Sequence, residues 1–464
     1  MFDEIKKMRK SKPVVANCID GESKEIPEHF AGIYKDLFNS VNDQDELSTV
    51  KIELQEMIAN SSLHDVDKID HAKVKEAIFH LKDDKTDPCF KISSDCLKNA
   101  PDSMFEHLAN MFKCFLIHGH ISQVLLVSTL VPLLKDKMGN ICTSKNYRSI
   151  ALCSLILKTF DWLIILLFGT SLGLDDLQFA YQPNCSTTIC SWIIIETIDY
   201  FINNGSEVFG CMMDMTKAFD LVKHSILFKK LMKQGLAPIF IRLLLVMYVL
   251  QSAKVRWNGN TSKEFTMRNG VKQGAVLSAI LYCVYMNGLF EKMRENRTGC
   301  WMRQHFIGIT GYADDNVLLS PTLDGLQEML ETCESYANEY NLKFSTDPNP
   351  KNCKTKTIAF LHKERPQRNM KLCGNNLNWV PNGKHLGNKI DIDIHGMKKD
   401  IMEKRARFIG RNSELHQEFS FAHPRTKFKM NQIYNTHFTG SPLWDLFSDE
   451  AIKLEKSWNV SIRS

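Results

Sequence analysis

The chain lacks the spacing that would make its cysteines a metal or disulfide framework. Fourteen cysteines are scattered through 464 residues, with no CxxC pair and no CxxC…HxxxH pattern. That argues against a zinc knuckle or finger and for free thiols in a reducing, intracellular compartment. Residues 1–13 are polar and basic and contain no apolar core of a targeting segment. A clean membrane span is missing too. The longest apolar stretch, Ile150 to Leu174, is broken by Lys158 and Asp161, and reads as a buried core helix. No internal repeat is visible. With 44% hydrophobic and 24% charged residues, the composition excludes disordered, fibrous and small secreted classes. The length implies two or three subdomains.

Charge is present but unevenly placed. Residues 351–464 carry 21 Lys and Arg against 11 Asp and Glu, a net of +10. The first 350 residues are left with −5 of the overall +5. A basic C-terminal quarter suits a polyanion held by one end of the molecule; solvated helix faces give the same balance.

Hydrophobic periodicity predicts helices in residues 1–60, two amphipathic helices over 66–127, and further helices at 150–167 and 190–201. Leu126 to Leu134 reads as a short strand. Glu207 to Met215 is an apolar run that reads as a strand buried on both faces, with Asp214 at its end. Helices follow at 222–234 and 238–250, then a hairpin around Asn258-Gly259 and a helix over 277–293. Phe306–Tyr312 and Asn316–Leu319 flank Ala313-Asp314-Asp315 as a tight hairpin. A helix at 322–340, a strand near 356–361, a short hairpin around 370–387 and basic helices over 396–464 complete the chain. The mixture predicts an α+β fold around an antiparallel sheet, followed by a helical appendage.

Two adjacent acids at a hairpin tip between apolar strands need solvent or a cation. The Tyr-x-Asp-Asp string alone is only suggestive in a chain of this length. Asp214 turns it into a constellation: three carboxylate donors suit hard divalent cations that also bind substrate phosphate oxygens. Two such ions serve in-line phosphoryl transfer. Taken singly, Asp214 reads equally well as a strand-end cap.

The ordered blocks resemble the reverse transcriptase of non-LTR (LINE-like) retrotransposons. They are Val131-Pro-Leu-Leu-Lys135, Asn146-Tyr-Arg-Ser-Ile150, Gln178-Phe-Ala-Tyr181, Asp214-Met-Thr-Lys-Ala-Phe-Asp220, Asn269-Gly-Val-Lys-Gln-Gly274 running on to Ser278, Tyr312-Ala-Asp-Asp315, Lys354-Thr-Lys-Thr, and His385-Leu-Gly387. The resemblance implies a right-hand polymerase, with fingers and an antiparallel palm sheet followed by a helical thumb. It implies catalytic, metal-binding roles for Asp214, Asp314 and Asp315, with two Mg2+ ions or Mn2+ in their place. Lys135, Arg148, Phe219, Gln273, Gly274 and Lys354 would meet the nucleotide. Phe219 would bar a 2′-hydroxyl, and Lys354 would serve as general acid for pyrophosphate. Taken alone, Phe219 reads as core and the cations as surface. Trp379, His385, Leu386 and Gly387 would form the primer grip. The implied division is a helical extension at 1–65, fingers and the start of the palm at 66–205, palm at 206–370, and primer grip with a truncated thumb at 371–464.

The implied partners are an RNA template, a DNA primer and dNTPs, with no membrane. The site of action would be nuclear. No endonuclease region is visible, so the polymerase portion of a larger element is the expectation. Four positions depart from the family pattern: Ser149 and Ala279 stand where Pro is usual, Gln182 where Arg is, and Asn287 where Asp is. Gln182 removes a cation and so weakens the expected triphosphate or template affinity. The competing expectation is an inactive or co-opted fragment that binds nucleic acid without polymerising. A metal-dependent hydrolase ranks below both, because no His or extra acid cluster accompanies the motifs.

Overall fold

In the computed structural model, residues 16–463 are described, apart from 62–63, 137–138, 350–351, 361–367, 393–396 and 436–437. The chain divides into two compact units. One comprises residues up to Gly173 together with Lys217–Tyr285; the other comprises Leu174–Thr216 with Met286–Ser464.

The first unit is built on a sheet whose core strand, Val127–Leu134, pairs antiparallel with Tyr147–Leu152 and parallel with Ser252–Trp257. Helical periodicity from Ile150 suggested a helix there. Instead Ile150–Leu152 complete a strand, and the helix starts at Leu155, where the Ser154 hydroxyl accepts from the Ile156 N–H. A continuous apolar run satisfies either structure, and pairing with Val131–Thr129 decides it. Asn258 and Gly259 have φ of +45° and +88° and close a two-residue turn between Trp257 and Asn260. That conformation matches the twist of a hairpin, as the Asn-Gly pair predicts. Helix Ile26–Leu37 lays Phe30 and Tyr34 on this sheet, where Phe30 meets Tyr147 edge-on and Trp257 at a tilt.

One apolar helical stretch, Leu155–Leu172, has the length and mean hydropathy (1.7) to cross a membrane, and half of it is buried in the protein. Its helix packs against His71–Phe79, and its buried residues include Asp161.

The second unit is organised by strand Val208–Met213. It pairs antiparallel with Asp315–Ser320 on one side and Lys356–Phe360 on the other. Ile309–Tyr312 adds to the first neighbour and Asn378–Trp379 to the second, the latter in parallel. The expected palm sheet is thus antiparallel except at that edge. Central position explains the unbroken apolar run: Val208 joins Ile194 and Ile198 of helix Thr187–Asn203, while Cys211 faces the side of helix Leu323–Glu339 that carries Cys333. The C-terminal helices Lys398–Glu418, Pro424–Asn435 and Asp449–Arg463 complete this unit.

Candidate active site

The acidic residues converge at one end of the second unit's sheet. Tyr312 pairs with Asp315 across a two-residue turn made by Ala313 and Asp314. Asn316 pairs with Met213, so the antiparallel register sets Asp214 alongside Asp315 at the next position. Opposed residues of such a pair lie about 4.5–5.5 Å apart. The Asp214 backbone is fixed from outside the strand: its N–H donates to Thr355 Oγ1 (3.3 Å) and its carbonyl accepts from the Ser345 N–H (2.8 Å).

Electrostatics agree with the register. Asp315 touches solvent, yet its carboxyl is crowded by protein atoms. That desolvation, with the charges of Asp314 and Asp214 behind it, pushes the pKa up to about 6. Three mutually repelling carboxylates are relieved by a hard cation. Among the described residues, no group of three His, Cys, Asp or Glu side chains is arranged to hold a metal ion unaided. Mg2+ suits such an open donor set, because it is held by one or two carboxylates and completed by water and substrate phosphate. Lys354 Nζ lies 4.0 Å from Asp214 Oδ2, with both side chains solvent-accessible.

Residues 134–365, half of the chain, match the family model for reverse transcriptase (RNA-dependent DNA polymerase). The chain belongs to the reverse transcriptase family. Its relatives are retrotransposon proteins. A Pol polyprotein of a type-1 retrotransposable element R2 from Nasonia vitripennis is 27% identical over 57% of this chain and 25% of its own length. The RNA-directed DNA polymerase from mobile element jockey of Drosophila funebris is 22% identical over 71% of this chain and 36% of its own. The chain thus spans about a quarter of the first relative and a third of the second. Among solved structures, apo telomerase from Candida Tropicalis, truncated from the C-terminal domain, aligns over 63% of this chain and 59% of that one. The TM-score is 0.41 and the identity 13%.

The remaining expected residues of this chain fall in several places. In the first unit, Arg148 lies opposite Leu133 on adjacent strands, and Lys135, two residues on from Leu133, shares that face. Arg148 and Lys135 are both exposed. The Lys135 ammonium reaches the Lys145 carbonyl at 2.9 Å. Phe219 is half-buried and stacks on Tyr282, with ring centroids 4.6 Å apart. Gln273 and Gly274 lie against strand Tyr147–Leu152, where the Ala151 N–H donates to the Gln273 carbonyl at 2.7 Å. Gly274 has φ of +111°, and a Cβ there would sit 2.6 Å from the Ala151 carbonyl oxygen. Only glycine fits.

The expected primer-grip residues differ in exposure: Trp379 and His385 are buried and Gly387 is exposed. Trp379 is buried in the sheet. Its indole N–H donates to the Arg368 carbonyl (3.0 Å) and its ring meets Phe209 edge-on, so it packs the core. His385 is buried, and neither ring nitrogen has a hydrogen-bond partner among the described residues; desolvation pushes its pKa down to about 4, leaving it neutral. Leu386 and Gly387 form the two-residue turn between His385 and Asn388, with φ of +48° and +86°. Beside that turn lies a cavity of about 260 Å³ whose lining includes Lys356, Lys384, Lys389 and Arg407 together with Asp400 and Glu403, and Glu403 pairs with both Lys389 and Arg407. Fewer cations of helix Lys398–Glu418 reach solvent unpaired than the charge count suggests. Lys404 is buried, Arg405 Nε donates to Ser457 Oγ (2.9 Å), and Lys399 pairs with Asp391 (2.8 Å).

One residue was visible in the sequence only as a break in an apolar run. Asp161 is buried, and its Oδ2 accepts from the first N–H groups of helix Val276–Glu295, at Val276 (3.2 Å) and Leu277 (3.4 Å). It therefore caps the helix that follows Gln273-Gly274. Desolvation pushes its pKa up to about 6 from 3.8, against those hydrogen bonds and the charge of Lys272. The folded state then binds this proton more tightly than the unfolded chain does. Its contribution to stability is fully present below about pH 3.8 and is lost as pH rises through about 6. Asp161→Asn keeps an acceptor and removes the titration. The stability of the variant relative to wild type, from urea unfolding, should grow by roughly 2 kcal/mol between pH 4 and 7. A difference that stays flat across that range would contradict the assignment.

Proposed function

We propose that this chain extends a DNA primer on an RNA template, joining dNTPs by nucleotidyl transfer at Asp214, Asp314 and Asp315. The observation that carries the reading is the pairing that sets Asp214 beside Asp315, with the Asp314 and Asp214 charges raising the Asp315 pKa. Bound divalent ions would supply charge neutralisation at the attacking and leaving oxygens. Asp214 holds its carboxylate at a fixed strand end, and the turn holds the other two across from it. Arg148 and Lys135 present cations to a triphosphate. Lys354 would give a proton to departing pyrophosphate, a role that its Nζ lying 4.0 Å from Asp214 Oδ2 supports. The basic cavity by the Leu386-Gly387 turn supports phosphate contacts with a hybrid. Residues 66–205 act as fingers with the start of the palm, 206–370 as palm, and 371–464 as primer grip and thumb. Purified chain with Mg2+, dNTPs and a primed RNA template should yield extended DNA. Hybrid binding with no extension would favour a nucleic-acid-binding role instead.

Phe219 sets sugar choice in this reading. Its ring is pinned by Tyr282, which is fully buried and cannot yield. A 2′-hydroxyl would meet that ring, and Phe219→Ala removes the wall. The ratio of ribonucleotide to deoxyribonucleotide incorporation should rise roughly tenfold or more, measured by competing the two substrates in primer extension. An unchanged ratio makes Phe219 a packing partner of Tyr282.

A further inference from the structure

The block Gln178-Phe179-Ala180-Tyr181 has no part in the chemistry above, yet it grips the acidic turn. Gln178 is fully buried. Its Oε1 accepts from the Ala313 N–H (2.8 Å) and the Ala180 N–H (3.2 Å), and its Nε2 donates to the Ala313 carbonyl (3.4 Å). The backbone around it pairs with the hairpin as well: Phe179 N–H donates to the Gly311 carbonyl, and Gly311 N–H to the Leu177 carbonyl, both at 2.8 Å. A Cβ on Gly311 would lie 3.2 Å from Gln178 Nε2 and 2.6 Å from Phe290, so a bare backbone there gives the amide its room. Ala313 has φ of +59°. A non-glycine residue keeps that conformation only where its surroundings over-determine it. Gln178, bonded to both polar groups of Ala313, is that determinant.

The gripping segment is itself held by two of the residues that depart from the family pattern. Gln182 Nε2 donates to the carbonyls of Asp175 (2.8 Å) and Gln178 (2.6 Å). Asn287 Oδ1 accepts from the Asp175 N–H (3.1 Å). The Asp175 carboxylate is fixed in turn by Arg294, at 2.8 and 3.0 Å. Gln182 therefore spends its amide inside this loop.

We infer that residues 175–182 are a bracket that positions the Asp314-Asp315 turn, with Gln178 as the positioning residue and Gln182 and Asn287 acting through it. The inference rests on the proposed metal-dependent site and adds what aligns it. Misplacing reacting groups by about 1 Å costs on the order of 10²-fold in rate, so a slack bracket lowers kcat and leaves dNTP binding to other residues.

Two measurements on the full chain test this. The first is primer extension resolved into kcat and the KM for dNTP. The second is Mn2+ binding in the presence of an RNA–DNA hybrid with a terminated primer, read from the electron paramagnetic resonance of free Mn2+. Gln178→Met fills the space without polar atoms. It should lower kcat on the order of 10²-fold, weaken Mn2+ binding severalfold, and leave KM within about threefold. Gln178→Glu still accepts from the Ala313 and Ala180 amides and should recover part of the loss. Wild-type kcat and Mn2+ binding in folded Gln178→Met would overturn the inference. If that variant does not fold, Gln182→Ala decides. A fall in kcat at constant KM supports the bracket, whereas a rise in KM at constant kcat places Gln182 on the triphosphate and overturns it. Wild-type Mn2+ binding in Asp314→Asn would instead remove the metal-site reading, and the bracket's purpose with it.

Discussion

If the proposed polymerase reading holds, Asp315→Asn and Asp314→Asn should each take primer extension down by on the order of 10³-fold or more, while the protein stays folded. Asparagine matches aspartate in shape, so the Tyr312–Asp315 pairing and the Asn316–Met213 register survive. What disappears is an anionic oxygen donor. The stability of the two states separates this from damage to the fold. Without metal, a charged Asp315 meets desolvation first and the charges of Asp314 and Asp214 behind it, which is why its pKa rises to about 6. Removing that charge at pH 7 relieves the repulsion, so metal-free Asp315→Asn should unfold at a slightly higher temperature than wild type. Added Mg2+ should raise the wild-type midpoint and leave that of the variant nearly unmoved. Differential scanning calorimetry with and without Mg2+ gives both numbers. A variant that is inactive and also less stable would mean that the carboxylate serves the fold.

The largest effect on stability is expected at Asp400. It is buried on helix Lys398–Glu418, where its carboxylate accepts from Lys404 Nζ (2.7 Å), Trp444 Nε1 (2.8 Å) and the Lys389 N–H (2.9 Å). Lys404 is buried too, and its ammonium also reaches Asn388 Oδ1 (3.1 Å) and the Thr439 carbonyl. Asp400→Ala leaves a desolvated ammonium without its counter-charge and strips the partners from an indole and a backbone N–H. Breaking a buried pair from one side costs about 3–5 kcal/mol. The paired change Asp400→Leu with Lys404→Met removes both charges together and should recover most of that loss. Urea unfolding of the single and double variants tests the claim, and a double variant no better than the single one would contradict it.

The acids were legible in the sequence because each sits where the pattern changes: Asp214 at the end of an unbroken apolar run, and Asp314 and Asp315 between two such runs. The central strand was legible for the same reason, since burial on both faces leaves no polar alternation. The pairing of Ser252–Trp257 with Val127–Leu134 was not, because its parallel partner lies over a hundred residues away and leaves no local trace. Ile150–Leu152 misled because an apolar run does not separate strand from helix. The burial of Trp379 against Phe209 was not legible, because an aromatic residue near a hairpin looks the same whether it is exposed or packed. Gln182 read as a missing cation, because its bonds go to backbone carbonyls, which sequence does not display.

The register of strand Val208–Met213 also has a consequence for synthesis on the ribosome. Its neighbours, Asp315–Ser320 and Lys356–Phe360, are encoded far downstream. At about 5–20 residues per second, the nascent chain carries this apolar strand for roughly seven to thirty seconds before the second neighbour exists. Until Asp315–Ser320 is made both its edges are open to other strands, including those of a neighbouring polysome product, and one edge stays open until Lys356–Phe360 follows. A holdase bound near residues 208–213 would have most to protect in that window. The yield of soluble protein should respond to chaperone supply and to elongation rate over residues 214–360 more than to anything in the finished fold.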